Sequence, residues 1–165
     1  MTDAAIIIES LLASYGDCLL VTSLLEDGTE HRILIDTGPD NATWERLQSR
    51  LAQIDSEAGR APRIDLAIIS HIDHDHIGNA VRLLTEASPQ LEFGDIWFNG
   101  RRHLQPGIRG AKEGGELGDA FVARTNEWNQ AFANGSVVVP DPQPDRVGAY
   151  SELPRQPGGP RITLL

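Results

Sequence analysis

The segment Ser70-His71-Ile72-Asp73-His74-Asp75-His76-Ile77-Gly78 holds five side chains able to bind a metal within six consecutive positions. It follows Ile64-Asp65-Leu66-Ala67-Ile68-Ile69, an apolar run that reads as a buried strand. Apolar residues at Val81, Leu84 and Ala87 follow it, which predicts a helix from about Gly78 to Ala87, with Pro89 beyond. A loop held between a buried strand and a helix can aim several side chains at one point, as a hydrolytic metal site requires. Ligands at i and i+2 project from one side of an extended loop, whereas the adjacent Asp75 and His76 point to different places. That spacing suits two ions, which about 3.5–4 Å apart can clamp one displacement between them.

Three other readings of the segment compete. A solvated acidic loop explains neither the strand before it nor the helix after it. A calcium loop starting at Asp73 would place Gly78 correctly at its sixth position. It would also put Ile77 at the fifth and Leu84 where a bidentate Glu is needed. A transferase holding a divalent ion on Asp73-His74-Asp75 leaves His71 and His76 unused.

Upstream, Ala4–Glu9 and Cys18–Leu25 are β-capable runs. Glu26-Asp27-Gly28-Thr29 supplies a tight turn into His31-Arg32-Ile33-Leu34-Ile35, so the chain opens as an antiparallel meander. A helix follows. Asp40 or Asn41 caps it, Trp44, Leu47, Leu51, Ile54 and Ala58 recur at helical spacing, and Gly59 stops it. Downstream, Ile96-Trp97-Phe98 reads as a strand of a third layer, followed by a Gly- and Arg-rich loop from Asn99 to Gly115. Leu117, Phe121, Trp128 and Phe132 mark a further helix, and Val137–Val139 a short strand. Pro140 to Pro160 contains six prolines and reads as an extended loop, and Arg161–Leu165 as a last strand. The order of elements predicts a layered α/β domain.

At 165 residues, 40% hydrophobic and 23% charged, the chain is one domain with material for a core. No run reaches the roughly 18 apolar residues of a membrane span. The N-terminus lacks the basic region of a signal peptide, so a cytoplasmic location without membrane contact is expected. Cys18 is the sole cysteine, which excludes an internal disulfide or a Cys-based zinc site and reads best as a small buried hydrophobe. Any metal is therefore held by His and carboxylate, a donor set that suits Zn, Mn or Fe. The net charge of −10, from 24 acidic and 14 basic residues, argues against a nucleic-acid partner. Arg101-Arg102-His103, with Arg109 and Lys112, is the one local basic cluster.

The Ser70–Gly78 segment resembles the signature of the metallo-β-lactamase-fold hydrolases, commonly His-x-His-x-Asp-His-x-Gly. His71, Asp75, His76 and Gly78 match, and Asp73 stands where the second His usually is. The resulting His-x-Asp-x-Asp-His variant resembles the hydrolase domain of bacterial competence (DNA-uptake) proteins. Ile33-Leu34-Ile35-Asp36-Thr37-Gly38 also resembles the family, and Gly16-Asp17-Cys18-Leu19-Leu20 is similar to the Gly-Asp turn of that subgroup.

The resemblance implies a four-layer αββα sandwich and a hydrolase that uses metal-bound hydroxide on an ester, phosphodiester or similar bond. It assigns His71 and Asp73 to a first metal and Asp75 and His76 to a second, with Asp75 also orienting the attacking water. Asp36 would accept a hydrogen bond from a ligand His, Asp17 would stand behind the ligands, and His74 would face solvent. His103, the one histidine after His76, would be a third ligand of the first site or a substrate group. One or two Zn or Mn ions are expected, and the carboxylate at Asp73 shifts the preference toward harder ions such as Mn²⁺. The substrate would be a small molecule or phosphoester.

The family's later ligands, a bridging Asp and a final His, find no counterpart: Asp141 and Asp145 lie in the Pro-rich stretch and no later His exists. Residues 1–165 are thus expected to be the N-terminal portion of the domain, first half plus insert, without the C-terminal half. Two alternatives follow from that. The chain is an enzyme completed by other residues, in a homo-oligomer or with a completing chain. Otherwise it is a catalytically incomplete metal-binding module.

Overall fold

The computed structural model describes residues 3–58, 62–70, 73–88, 90–98, 151–152 and 163–164. β1 (Ala5–Ser10), β2 (Leu19–Leu24) and β3 (Glu30–Ile35) form the expected antiparallel meander. The turn between β2 and β3 places Gly28 at φ +84°, a region that side chains disfavour, and the Asp27 carboxylate accepts from the Thr29 amide at 2.8 Å.

α1 (Asn41–Ala58) carries the chain across the sheet to β4 (Arg63–Ile69). Asp40 caps the helix, its Oδ1 accepting from the Thr43 amide at 2.8 Å and from the Thr43 hydroxyl at 2.7 Å. The periodic residues Trp44, Leu47, Leu51 and Ile54 are all buried. Beyond β4 come α2 (His74–Ile77), α3 (Ala80–Thr85) and β5 (Glu92–Phe98). The sheet order is β1-β2-β3-β4-β5, with β3, β4 and β5 parallel. Leu20, Leu34, Ala67, Ile69 and Ile96 of the sheet join the apolar faces of α1 and α3 in one core. This is a layered α/β arrangement, a mixed five-stranded sheet with helices packed on it, as the order of elements predicts.

Three expectations are corrected. The metal segment is not extended throughout: His74–Ile77 forms a helical turn, because the amides of His76 and Ile77 both find the Asp73 carbonyl, at 2.9 and 3.1 Å. The helix expected from about Gly78 to Ala87 is present but shorter, α3 at Ala80–Thr85, with Ala80, Leu83 and Leu84 buried. The strand expected over Ile96–Phe98 starts at Glu92 and belongs to the first sheet, beside β4, rather than to a third layer. β6 (Ser151–Glu152) interrupts the Pro-rich loop and pairs with β7 (Thr163–Leu164), within the strand expected at the chain's end. The helix over Leu117–Phe132, the strand at Val137–Val139 and the helix stop at Gly59 lie outside the described residues. The second half of an αββα sandwich is not among the described residues either.

The topology brings several loops to one edge. Parallel β3, β4 and β5 all end there, since Ile35 pairs with Ile68 and Ile69 with Phe98. Antiparallel β2 begins at the same edge, where Leu19 lies opposite Ile35, and β1 ends there opposite Leu19. The loops at Leu11–Cys18 and Asp36–Asp40 therefore open beside Ser70, the first residue after β4. The carboxyl ends of parallel strands are where open α/β sheets place their ligands.

Candidate metal centre

Asp36 is the first residue after β3 and only 2% exposed. Its amide continues the parallel pairing by donating to the Ile68 carbonyl at 2.8 Å, yet its φ is +57°, in the left-handed region. Such a backbone in a non-glycine residue persists only where its surroundings hold it. Here they do. The Ser70 amide donates to Oδ1 at 2.7 Å and the Ser70 hydroxyl to Oδ2 at 2.6 Å.

The same Oδ2 lies 2.8 Å from His76 Nδ1. A carboxylate accepts, so the proton of a neutral His76 sits on Nδ1 and the lone pair is left on Nε2. Nε2 lies 3.3 Å from Asp75 Oδ2. Two donors each about 2.1 Å from a tetrahedral Zn ion stand about 3.4 Å apart, so this nitrogen and oxygen suit one ion. Asp36 thus supports His76 from behind, as carboxylates do for metal-binding histidines.

The Leu11–Cys18 loop contributes a further carboxylate, Asp17, whose Oδ2 is 3.7 Å from His76 Nδ1. Asp17, Asp36 and His76 offer three ligand atoms within 4.8 Å of one another. In that trio the imidazole would bind through Nδ1, at the cost of its hydrogen bond to a buried anion. Coordination through Nε2 keeps that bond, and the chemistry favours it.

Burial acts to lower the pKa of His76, but its hydrogen bond to the Asp36 carboxylate and the charges of Asp36, Asp75 and Asp17 outweigh it. The pKa therefore stands above the ordinary histidine value. The same set of charges that favours a proton on the ring favours a divalent cation.

Backbone interlocking fixes the loops. The Thr37 amide and hydroxyl both donate to the His76 carbonyl, at 2.9 and 3.1 Å. The buried Asn79 amide nitrogen reaches the carbonyls of Thr37, Gly38 and Asp40 at 3.0–3.1 Å. Gly16 packs so closely on the Asp75 carbonyl that a Cβ there would collide with it, and the Asp17 amide donates to the same oxygen at 3.3 Å. Gly78 faces the Gly38 carbonyl and Pro39 across a gap with no room for a side chain.

Among the residues expected at the site, Asp75 and His76 converge with Asp36 and Asp17. Asp73 is exposed, at the N-cap of α2 in extended conformation, and His74 is exposed on that turn. His71 and His103 lie outside the described residues. The sequence reading missed Ser70, Thr37 and Asn79 as braces. The hydroxyl directly before the motif was the available signal for Ser70, while Thr37 and Asn79 act through backbone carbonyls that no residue pattern encodes.

A buried carboxylate orienting an imidazole beside a second carboxylate, at the carboxyl edge of parallel strands, defines an α/β protein with a candidate divalent-metal centre. Residues 14–92 match the family model described as the metallo-beta-lactamase superfamily, a match consistent with an N-terminal part of that fold. No curated protein and no solved structure matches the chain. No described helix is long and apolar enough to cross a membrane.

Proposed function

We propose that this chain is the metal-binding part of a hydrolase acting on an ester or phosphodiester. His71, Asp73, Asp75 and His76 would hold one or two divalent ions. The observation that carries the reading is the chain of contacts from Asp36 Oδ2 through the His76 ring to Asp75 Oδ2, at 2.8 and 3.3 Å. It leaves an imidazole lone pair and a carboxylate oxygen side by side, which is what binding a borderline or hard divalent ion requires.

When bound, the metal supplies Lewis acidity toward the scissile group and the attacking water. The protein residues do the rest. Asp36 holds the His76 ring in one tautomer, so its lone pair faces Asp75 rather than the protein interior. Asp75 is part-exposed and accepts a hydrogen bond from the attacking water, orienting it toward the ester and receiving its proton. Asp73, a hard oxygen donor in place of imidazole, tilts selection toward Mn²⁺.

Turnover of bis(p-nitrophenyl) phosphate, with and without added Mn²⁺ or Zn²⁺, tests the proposal. Metal-dependent hydrolysis that Asp75→Asn abolishes supports it. Metal bound without turnover of this or a carboxylic ester identifies a binding module instead.

A further inference from the structure

β1 is the edge of the five-stranded sheet, and its first four residues, Ala5-Ile6-Ile7-Ile8, carry no charge and no proline. Ile6, Ile7 and Ile8 are 68%, 48% and 67% exposed, so both faces of the strand meet solvent. Among the described residues no strand pairs with its outer side. Proteins usually guard such an edge with lysine, proline, a bulge or a covering loop, because free backbone groups beside an apolar surface recruit another strand. The charged residues of this edge stand apart. Glu9 is held by Arg50 of α1, with Nε to Oε1 at 2.8 Å, and Asp3 precedes the strand.

We infer that β1 pairs antiparallel with β1 of a second copy of this chain, joining the two sheets into one across a two-fold axis at Ile7. This inference is independent of the metal centre. Residues facing each other in an antiparallel pair share a sheet face, and a two-fold axis normal to the sheet preserves faces. Only like-parity registers therefore keep the helices of both copies on one side.

Among those registers the charges and the isoleucines choose. Centring on Ile7 sets Ile7 against its equivalent, Ile6 against Ile8 of the second copy, and Glu9 against Ala5. Centring on Ile6 sets Asp3 against Glu9, and like charges directly opposite destabilise a sheet pair. Centring on Ile8 sets isoleucines against Ser10 and Glu9. The Ile7 register alone mates all three isoleucines and keeps every acidic side chain opposite an uncharged residue.

Sedimentation equilibrium of the full chain at tens of micromolar tests this, with far-UV circular dichroism as the control for folding. The expected mass is twice the 18.0 kDa of the chain. Ile6→Lys combined with Ile8→Lys places like charges across the axis and should halve the mass without altering the spectrum, since both side chains are exposed. Ile6→Lys combined with Ile8→Glu sets opposite charges together in this register and should restore the doubled mass. A monomeric wild-type chain overturns the inference and points to another segment or partner on the strand. A dimer indifferent to the double lysine substitution overturns it by placing the contact elsewhere, and failure of the charge-swapped pair to restore the dimer overturns the register.

Discussion

The carboxylate of Asp36 meets the His76 ring at 2.8 Å from a backbone held in the left-handed region, and Ser70 secures both of its oxygens. Asp36→Asn keeps an oxygen to accept from Ser70 but removes the anion that fixes the imidazole tautomer. Metal affinity should fall by about 10–100-fold, the usual cost of losing such a partner. Calorimetric titration of Mn²⁺ or Zn²⁺ into both proteins checks it. Unchanged affinity would show that His76 is not bound through Nε2.

The raised pKa of His76 gives the metal-free protein a defined pH response. A folded-state pKa above the unfolded value of about 6.5 contributes stability that is complete below that value and is lost as pH rises through the folded pKa. Metal binding runs the other way, because it needs the neutral ring and strengthens across the same interval. An NMR titration of the His76 ring should show a pKa above that of a free histidine, and Asp36→Asn should lower it.

Gly16 is where the Leu11–Cys18 loop rests on the Asp75 carbonyl. Gly16→Ala forces the two backbones apart and should weaken metal binding at least tenfold. The core, anchored by Leu47 and Leu51, stays folded. A melting curve and a metal titration on one sample separate the two effects. The reverse pattern should hold for Leu47→Ala, which empties a fully buried position and costs about 2–5 kcal/mol of stability.

Cys18 is 1% exposed, and burial, with the nearby charge of Asp36, pushes its thiol pKa up to about 12. The thiolate is the reactive form, so iodoacetamide should leave Cys18 untouched in the folded chain and label it quickly in denaturant. Labelling of the native protein at neutral pH would contradict this placement.

Much of the fold was legible because it rests on periodicity and turn chemistry. The Asp27-Gly28 turn, the Asp40 cap and the spacing of Trp44, Leu47, Leu51 and Ile54 each specify a local conformation by themselves. The sheet position of β5 was not legible, since Ile96-Trp97-Phe98 looks the same in any layer and only the register with Ala67–Ile69 decides. At the site, the cluster of ligands could be read from residue types. Its conformation could not, because the turn at His74–Ile77 comes from backbone bonds to Asp73 and from contacts with Gly16 and Thr37 far away in sequence.

The central claim is that Asp75 and His76 present a divalent-metal site held in place by Asp36. Titration of the metal-stripped chain with Mn²⁺, followed by electron paramagnetic resonance, tests it most directly. The account predicts saturable binding of one or two ions, lost in His76→Ala and Asp75→Asn while both variants keep the wild-type circular dichroism spectrum. Absence of binding to the folded wild-type chain, or binding that survives both substitutions, would contradict it.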